Sequence, residues 1–187
     1  MNKKLILNCK SLNRKAQREM VDHLSPFLFP ICRRYSSTFE DAKDLLQESL
    51  ILIFNNMAKY ESKEVIPFKS WCKKITINHA LAKLRKTKKE TTEITDTAVQ
   101  PSVNPHVHSK LNIEDILKLL QKVPESHGTV FKLAVVDGYS HKEIAGLLGI
   151  KESSSRTFLV RARQTLQKLI KNQGNHSVST KEGISGQ

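Results

Sequence analysis

The sequence predicts an all-α protein made of two small helical domains joined by a flexible linker. Apolar residues recur at intervals of three and four along much of the 187-residue chain, which is the spacing of one helix face. Gly and Pro number only 7 and 6, and aromatic residues make up 6% of the chain, which disfavours a sheet protein built on tight turns and aromatic cross-strand pairs. A stretch without apolar periodicity, residues 88–109, separates the two helical regions and predicts the linker.

The composition also excludes other classes of protein. The longest apolar run, Leu50–Phe54, is far shorter than the ~20 residues that cross a bilayer, and the N-terminal segment lacks the features of a signal peptide. The 3 cysteines are odd in number and widely spaced (Cys9, Cys32 and Cys72), which excludes a disulfide framework and a paired-cysteine zinc site. We therefore expect a soluble, cytoplasmic protein, and two of the thiols lie in apolar patterns that predict they are inert.

Charge is abundant and unevenly distributed. The 31 basic and 18 acidic side chains give a formal net charge of +13, which favours a polyanionic partner such as nucleic acid. No acidic residue occurs between Val65 and Lys89, and Glu152 is the only acid between Lys151 and Lys171. Acidic side chains gather instead at Glu40, Asp41, Asp44 and Glu48. This segregation argues against charge that serves solubility alone.

The first predicted domain spans residues 11–87. We expect Ser11 to cap a helix that ends near Leu24, and Pro26 to lie in the first turn of the next helix, which Pro30 would kink. The expectations for Pro26 and Pro30 rest on the missing N–H of proline, which is harmless only at the start of a helix.

Two further helices complete this domain. Thr38 and Asp41 have the spacing of a capping box that begins the third helix, and Pro67 begins the fourth. The inner face of the third helix is expected to comprise Ala42, Leu45, Leu46, Leu50, Ile53, Phe54 and Met57, and that of the fourth Phe68, Trp71, Cys72, Ile75, Leu81 and Ala82. On the opposite face of the third helix Ile51 and Leu52 are apolar where water is expected. Trp71 resembles a stacking platform, but its helical spacing from Phe68 and Ile75 favours a core position.

The second predicted domain spans residues 110–171. Its first helix carries Leu111, Ile113, Ile116, Leu117 and Leu120 on one face. A second helix starts at Pro124, ends at Gly138 and directs Val130, Phe131, Ala134 and Val135 inward. The tail, residues 172–187, has little to bury and is predicted to be disordered.

The most specific local pattern is a helix-turn-helix that begins at Ser140. Ser140 and Glu143 form a capping box, Ala145 is small where a second helix must cross closely, and Gly149 ends the first helix. The buried side of that helix is Ile144, Leu147 and Leu148, and the following helix directs Ser155, Leu159, Ala162, Leu166 and Leu169 inward. A basic second helix with hydroxyls and arginines near its start suits the DNA major groove. A plain αα-hairpin is the alternative interpretation.

Both domains resemble the extracytoplasmic-function (ECF) branch of the bacterial sigma-70 family. The segment Asp41-Ala42-Lys43-Asp44-Leu45-Leu46-Gln47-Glu48 is similar to the D-A-E-D-L-[LV]-Q-E segment of region 2, and Phe68 to Lys86 to its F-x-x-W-L…I-x-x-N…L-R-[KR] segment. Val123-Pro124 resembles the opening of region 4. Glu143 to Ile150 and Arg161-Ala162-Arg163 match E-I-A-x-x-L-G-[IV] and R-A-R. The resemblance covers roughly residues 11 to 171.

The resemblance implies a sigma factor, which binds core RNA polymerase and directs promoter-specific initiation at −10 and −35 elements. The residues implied for docking on the clamp helices of the largest polymerase subunit are Asp41, Asp44, Gln47, Glu48 and Ile51. Those implied for the −10 element are Lys73, Lys74, Asn78, His79, Lys83, Arg85 and Lys86, and the loop from Lys59 to Ile66 would hold a flipped base.

The residues implied for the −35 element lie on the outer face of the last helix: Ser153, Ser154, Arg156, Thr157, Arg161 and Arg163. Several positions depart from the family pattern. Cys72 replaces a leucine, and His127 stands where arginine is common. Ser155 replaces an inward valine and is expected to loosen the packing unless its hydroxyl bonds back to a carbonyl, and Lys151 replaces a usual cap, which is expected to move to Ser153.

No catalytic constellation is expected. The motifs GxxxxGK[ST], HExxH and GxSxG are absent, and His106 and His108 lie in the predicted linker without a third metal ligand. We therefore expect no enzymatic activity, cofactor, metal or small-molecule substrate. The resemblance also implies an inhibitory anti-sigma partner, tethered to the membrane.

Two other functions are considered. One is a helix-turn-helix DNA-binding regulator whose N-terminal domain oligomerises or binds a ligand instead of polymerase. The other is a nucleic-acid-modifying enzyme, for which the sequence offers no catalytic group.

Overall fold

The computed structural model describes residues 3–61, 67–92 and 113–178, and every regular element within them is helical. The chain divides into two compact units, Met1–Val99 and Gln100–Gln187, as the all-α, two-domain expectation requires. The helices of the first unit are α1 (Lys3–Lys10), α2 (Arg14–Tyr35), α3 (Phe39–Asn56) and α4 (Phe68–Thr92). Those of the second are α5 (Ile113–Leu120), α6 (Glu125–Phe131), α7 (His141–Leu148) and α8 (Glu152–Val178).

The core of the first unit forms around α2, against which α1, α3 and α4 all pack. Its largest fully buried side chains are Met20, Leu24, Leu28, Cys32, Leu45, Ile53, Met57, Thr76 and Ile77. Helices α3 and α4 also contact each other, so three helices enclose the apolar centre.

The sequence-based boundary within α2 is wrong, because a single helix runs from Arg14 through both prolines to Tyr35. Pro26 and Pro30 are four residues apart and both exposed, so the carbonyls left without an N–H partner face water. The opposite face is buried on both sides of the prolines, at Met20, Leu24, Leu28, Ile31, Cys32 and Tyr35. Burial of that continuous face outweighs the cost of the two missing hydrogen bonds.

The first unit also begins earlier than residue 11, because α1 packs on α2 through Leu5, Ile6 and Cys9. Ser11 does not cap α2, since its hydroxyl donates to the carbonyls of Leu7 and Asn8 at the end of α1. Asn13 caps α2 instead, and its side chain accepts the N–H of Ala16 at 3.0 Å.

Helix α4 begins after Pro67 as expected, but its buried face is rotated from the predicted one. Phe68, Cys72 and Leu81 are buried, whereas Ile75 and Trp71 are half-buried and Ala82 is exposed. Thr76, Ile77 and Ala80 take their places in the core. Thr76 fits there because its hydroxyl donates to the carbonyl of Cys72 at 3.1 Å within the same helix.

In the second unit, α5, α6 and α7 pack against the long helix α8. A π-helical turn, Lys132–Val136, continues α6 and shifts the register of its side chains. Leu133 is therefore fully buried, while Val135, which was expected inside, is 48% exposed. Gly138 follows with a φ of +79°.

The predicted linker and tail are partly helical. Helix α4 extends to Thr92, so residues 88–92 belong to it rather than to the linker. Helix α8 extends to Val178, so residues 172–178 are helical rather than disordered. The rest of the predicted linker and tail lies outside the described residues, as do His106 and His108.

All three cysteines are buried and unpaired. Burial raises the pKa of Cys32 to about 11 and that of Cys72 to about 12, so both are protonated thiols at neutral pH. Within the described ranges no helix has the length and apolarity needed to cross a membrane.

Two glycines near the helix-turn-helix offer a matched test of the backbone. Gly149 ends α7 with a φ of +66°, whereas Gly146 lies inside α7, and a Cβ at either position would meet no atom within 4 Å. We expect Gly149→Ala to destabilise the second unit by about 1 kcal/mol and Gly146→Ala to stabilise it by a similar amount. Amide hydrogen exchange of α7 measures both, and equal shifts of the same sign would contradict the left-handed cap.

Candidate functional site

An exposed stripe on α3 combines acidic, amide and apolar side chains. Asp44, Gln47 and Ile51 succeed one another at helical spacing on the face turned away from α2, and Ile51 is 58% exposed. Among the described residues, Asp44 has no hydrogen-bond or ion-pair partner. The stripe thus offers a free carboxylate beside an uncovered aliphatic side chain, as sequence reasoning expected.

Asp41 stands at the start of this stripe but already has a structural role. Its carboxylate accepts the backbone N–H of Thr38 at 3.1 Å, and the Thr38 hydroxyl accepts the N–H of Asp41 at 3.0 Å, which confirms the capping box. Hydrogen bonds from the Thr38 side chain and backbone lower the pKa of Asp41. A substitution at Asp41 therefore disturbs the start of α3 as well as any contact made there.

Glu48 does not project freely as the sequence-based assignment assumed. Its carboxylate lies 2.8 Å from His79 Nε2 and accepts hydrogen bonds from Lys83 Nζ at 3.0 Å, so it joins α3 to α4. The side chains of His79 and Lys83, both assigned to the −10 element, thus contact Glu48 of α3, and their part in DNA binding stays a prediction. The sequence could not show this, since the three residues are brought together only by the packing of two helices.

Two other cations of α4 lie with Asn78 on a separate stripe. Lys74, Asn78 and Arg85 fall within about 40° of one another around the helix axis at 100° per residue, and all three are exposed. Lys86 is also exposed, and Lys73 is half-buried. The stripe presents positive charge around one amide side chain that can donate and accept hydrogen bonds.

Three aromatic rings pack together at the start of α4. Tyr60 lies 4.9 Å from Phe68 and 5.3 Å from Trp71, measured between ring centroids, and Phe68 stacks on Trp71 at 5.6 Å. Trp71 is half-buried within this cluster, so the core position that its spacing favours is only partly reached. Most of the loop assigned to a flipped base, residues 62–66, lies outside the described residues.

The helix-turn-helix forms as its sequence predicts. The Ser140 hydroxyl accepts the N–H of Glu143, whose carboxylate accepts the N–H of Ser140 at 2.9 Å, and Gly149 is left-handed. Helix α8 begins at Glu152, after Lys151, whose carbonyl accepts the N–H of Ser155. The cap therefore does not move to Ser153, which lies inside the helix.

The outer face of α8 carries the predicted DNA-binding side chains. Ser153, Arg156, Thr157, Arg161 and Arg163 are exposed and Ser154 is half-buried. Arg156 forms an ion pair with Glu152 one turn earlier, so its guanidinium is already partly neutralised. The Thr157 hydroxyl donates to the carbonyl of Ser153 at 3.0 Å and keeps its acceptor capacity.

Val160 is a candidate that sequence reasoning missed. It lies between the basic and hydroxyl side chains of this outer face and is 52% exposed. An exposed aliphatic side chain on such a face suits contact with a thymine methyl group. Its outward position on the helical wheel of α8 was the available signal.

The inner face of α8 contains one buried hydroxyl. Ser155 is fully buried, and its Oγ lies 2.8 Å from Nδ1 of His141 at the start of α7. The hydroxyl that was expected to loosen the packing therefore finds its partner on the neighbouring helix rather than in a carbonyl of α8. Across the described ranges, no three His, Cys, Asp or Glu side chains converge on a point where a metal ion could bind.

The Glu48 cluster gives a pH-dependent prediction. Burial alone would raise the pKa of Glu48, but hydrogen bonds from His79 and Lys83 outweigh it and lower the pKa. Because the folded pKa is below the unfolded one, this stabilisation is present at neutral pH and is lost as the pH falls through the lowered pKa.

We therefore expect Glu48→Gln to destabilise the first unit by about 0.5 kcal/mol at pH 7, a small effect because water screens the half-exposed group. The difference from wild type should disappear in acid. Urea unfolding followed by the fluorescence of Trp71, the single tryptophan of the chain, reports on this unit alone. Asp44→Asn also removes one negative charge, from a carboxylate that has no partner among the described residues, so it should change the free energy of unfolding little. Equal losses of stability in the two variants would contradict the Glu48 cluster.

Two family models match the chain in order. The sigma-70 region 2 model matches residues 20–90, which include α3 and most of α4, and the sigma-70 region 4 model matches residues 113–166, which include the helix-turn-helix. Together they cover both units and every predicted interface residue.

Curated relatives agree with these models. The chain is 24% identical to the ECF RNA polymerase sigma factor SigW of Bacillus subtilis, over 91% of this chain and 97% of that protein. It is 26% identical to the ECF sigma factor SigE of Mycolicibacterium smegmatis over 87% of this chain, which spans 63% of that relative. It is 27% identical to SigM of Bacillus subtilis over 68% of this chain and 78% of that protein.

Solved structures share the fold. The sigma factor RpoE of Bartonella quintana, crystallised with the anti-sigma factor NepR, aligns with a TM-score of 0.58 at 22% identity, over 82% of this chain and 96% of that one. CnrH, solved with the cytosolic domain of CnrY, aligns with a TM-score of 0.52 at 19% identity, over 90% and 96%. Since both sigma-70 regions are present in order and the curated relatives are sigma factors, the chain belongs to the ECF branch of the sigma-70 family of RNA polymerase sigma factors.

Proposed function

We propose that this protein binds core RNA polymerase and directs initiation at promoters whose −10 and −35 elements its two units recognise. The observation that carries the proposal is the pairing of distinct surfaces within one chain. The first unit has an acidic and apolar stripe on α3 and a basic stripe on α4, and the second has a basic helix-turn-helix.

Polymerase docking is assigned to the α3 stripe. Asp44 is an exposed carboxylate, Gln47 an exposed amide and Ile51 an uncovered aliphatic side chain. Such a stripe is complementary to a partner helix with basic side chains around an apolar centre, and the clamp helices of the largest polymerase subunit are the proposed partner. Asp41 and Glu48 flank the contact, and each also stabilises the unit itself.

The −10 element is assigned to the exposed stripe of α4. Lys74 and Arg85 would hold phosphates, and Asn78 between them would contact a base edge. Binding of unpaired bases offsets the cost of unstacking them, so strand opening needs no nucleotide hydrolysis by this chain. The proposed activity is therefore recognition without catalysis, in the cytoplasm where polymerase acts.

The −35 element is assigned to the outer face of α8, which would lie in the major groove. Arg161 and Arg163 supply unpaired charge near phosphates, while Ser153, Thr157 and Val160 face the bases. The chain is also proposed to bind an anti-sigma protein, because RpoE and CnrH, which share its fold, were solved with such partners or their cytosolic domains.

Reconstitution tests the proposal. Core polymerase is combined with the purified chain and a library of promoter-sized genomic fragments, and the transcripts are sequenced. We expect transcripts with defined start sites that depend on the chain and share upstream sequences at two spaced positions. Transcription that the chain does not change would overturn the proposal. The regulator alternative is not favoured by the relatives, and it predicts DNA binding without capture of core polymerase.

A further inference from the structure

The contact between His141 and Ser155 links the two helices of the helix-turn-helix at the level of the first turn of α8. Ser155 is fully buried between residues that pack inward, and its hydroxyl lies 2.8 Å from His141 Nδ1. Either group can donate this hydrogen bond, because both the hydroxyl and the imidazole nitrogen can carry the proton. A buried hydroxyl without a partner is unfavourable, so the pair restricts α8 to orientations that keep the bond.

Both ends of the bond are held by rigid backbone. His141 is the first residue of α7, directly after Ser140, whose capping box with Glu143 holds that end of the helix. Ser155 lies in the first turn of α8, where its N–H donates to the carbonyl of Lys151 at 3.1 Å. The hydrogen bond therefore fixes the first turn of α8 relative to the start of α7.

Two of the residues assigned to the bases, Ser153 and Thr157, lie close to Ser155 on α8. Ser154 and Arg156 are its immediate neighbours, and Ser153 and Thr157 lie within the same two turns. This hydrogen bond is directional, and an aliphatic side chain in place of Ser155 would leave His141 Nδ1 without that partner. If α8 rotates about its axis or shifts relative to the groove, the side chains that face the bases are displaced. The arginines assigned to phosphates can still reach the DNA backbone.

We propose that His141 and Ser155 form a positioning pair that sets α8 for sequence discrimination. This inference rests on the proposed −35 recognition. Losing the bond should reduce discrimination between DNA sequences by about tenfold while changing affinity for unrelated duplex less than twofold. A purely structural role would lower stability without changing the ratio of the two affinities.

Ser155→Val and Ser155→Thr provide the test, since valine and threonine are isosteric with each other and only threonine keeps the hydroxyl. The full-length chain first selects duplexes from a random-sequence pool. Each variant is then titrated with the enriched duplex and with a scrambled one. We expect Ser155→Thr to keep the wild-type affinity ratio, and Ser155→Val to lose about tenfold with its helicity intact.

A double-mutant cycle with His141→Phe completes the experiment, because the ring remains but Nδ1 is lost. The inference predicts that the double variant discriminates no worse than either single variant. A Ser155→Val protein that keeps the wild-type ratio would overturn it, as would additive losses in the cycle. If the wild-type chain enriches no sequence, the proposed −35 recognition is overturned and this inference with it. That result differs from a retained ratio or additive losses, which would overturn this inference alone.

Discussion

Substituting Arg161 and Arg163 together by glutamine is expected to weaken duplex binding about 100-fold at moderate salt. Both side chains are exposed on the outer face of α8, and neither forms an ion pair with another described residue. Each phosphate contact releases condensed counterions, so the loss of two should also reduce the slope of log affinity against log salt by about 1.8. Titrations at several salt concentrations measure both quantities.

Lys118→Gln with Lys122→Gln is the matched control. These lysines are exposed in the same unit, on α5 and in the turn that follows it, and their loss changes the net charge equally. We expect their effect to remain within about twofold, because neither lysine lies on the face of α8 that is proposed to enter the groove. Equal losses in the two double variants would mean that total charge, rather than the α8 surface, attracts DNA.

Arg156 should behave differently from these two arginines. Its ion pair with Glu152 already neutralises part of its charge, so DNA must compete with the Glu152 carboxylate for the guanidinium. We therefore expect the loss of Arg156 to reduce affinity for DNA less than the loss of Arg161. The sequence placed all three arginines in one set, and only the side-chain contacts separate them.

Sequence patterns spanning a few residues predicted much of the fold and of the helix-turn-helix. The capping boxes at Thr38 and Ser140 and the left-handed Gly149 follow from spacings of a few residues, which is why the sequence located them correctly. The continuity of α2 did not follow, because local proline chemistry was outweighed by the burial of a face formed with three other helices. The π-helical turn after α6 likewise lies against α7, a neighbour that its local sequence does not reveal.

The predicted interface residues show the same contrast between local signals and contacts between helices. The exposure of Asp44, Gln47 and Ile51 follows from one helical wheel and was predicted correctly. The bond of Glu48 to His79 joins residues 31 positions apart, and that of His141 to Ser155 joins residues 14 apart on separate helices. Such pairs depend on how helices are docked, which periodicity within one helix does not encode.

Reversing the charge of Asp44 is expected to reduce capture of core polymerase by 100-fold or more. Asp44 is exposed on the α3 stripe, one turn before Gln47 and two before Ile51. In Asp44→Lys, a cation would face the basic partner helix, and a like-charge contact of this kind costs several kcal/mol. Affinity capture of purified core polymerase, with the free chain as competitor, measures the loss.

Glu19→Lys controls for the change in net charge. Glu19 is an exposed carboxylate on α2 in the same unit, and its nearest charged partner is His23 at 3.9 Å, a contact of negligible strength. Its reversal should leave polymerase capture within about twofold of wild type. Because Asp44 contributes no contact to the core, Trp71 fluorescence should report unchanged stability for Asp44→Lys. Retained capture by Asp44→Lys, or an equal loss with Glu19→Lys, would remove the α3 stripe as the polymerase contact and leave the docking surface elsewhere on the chain.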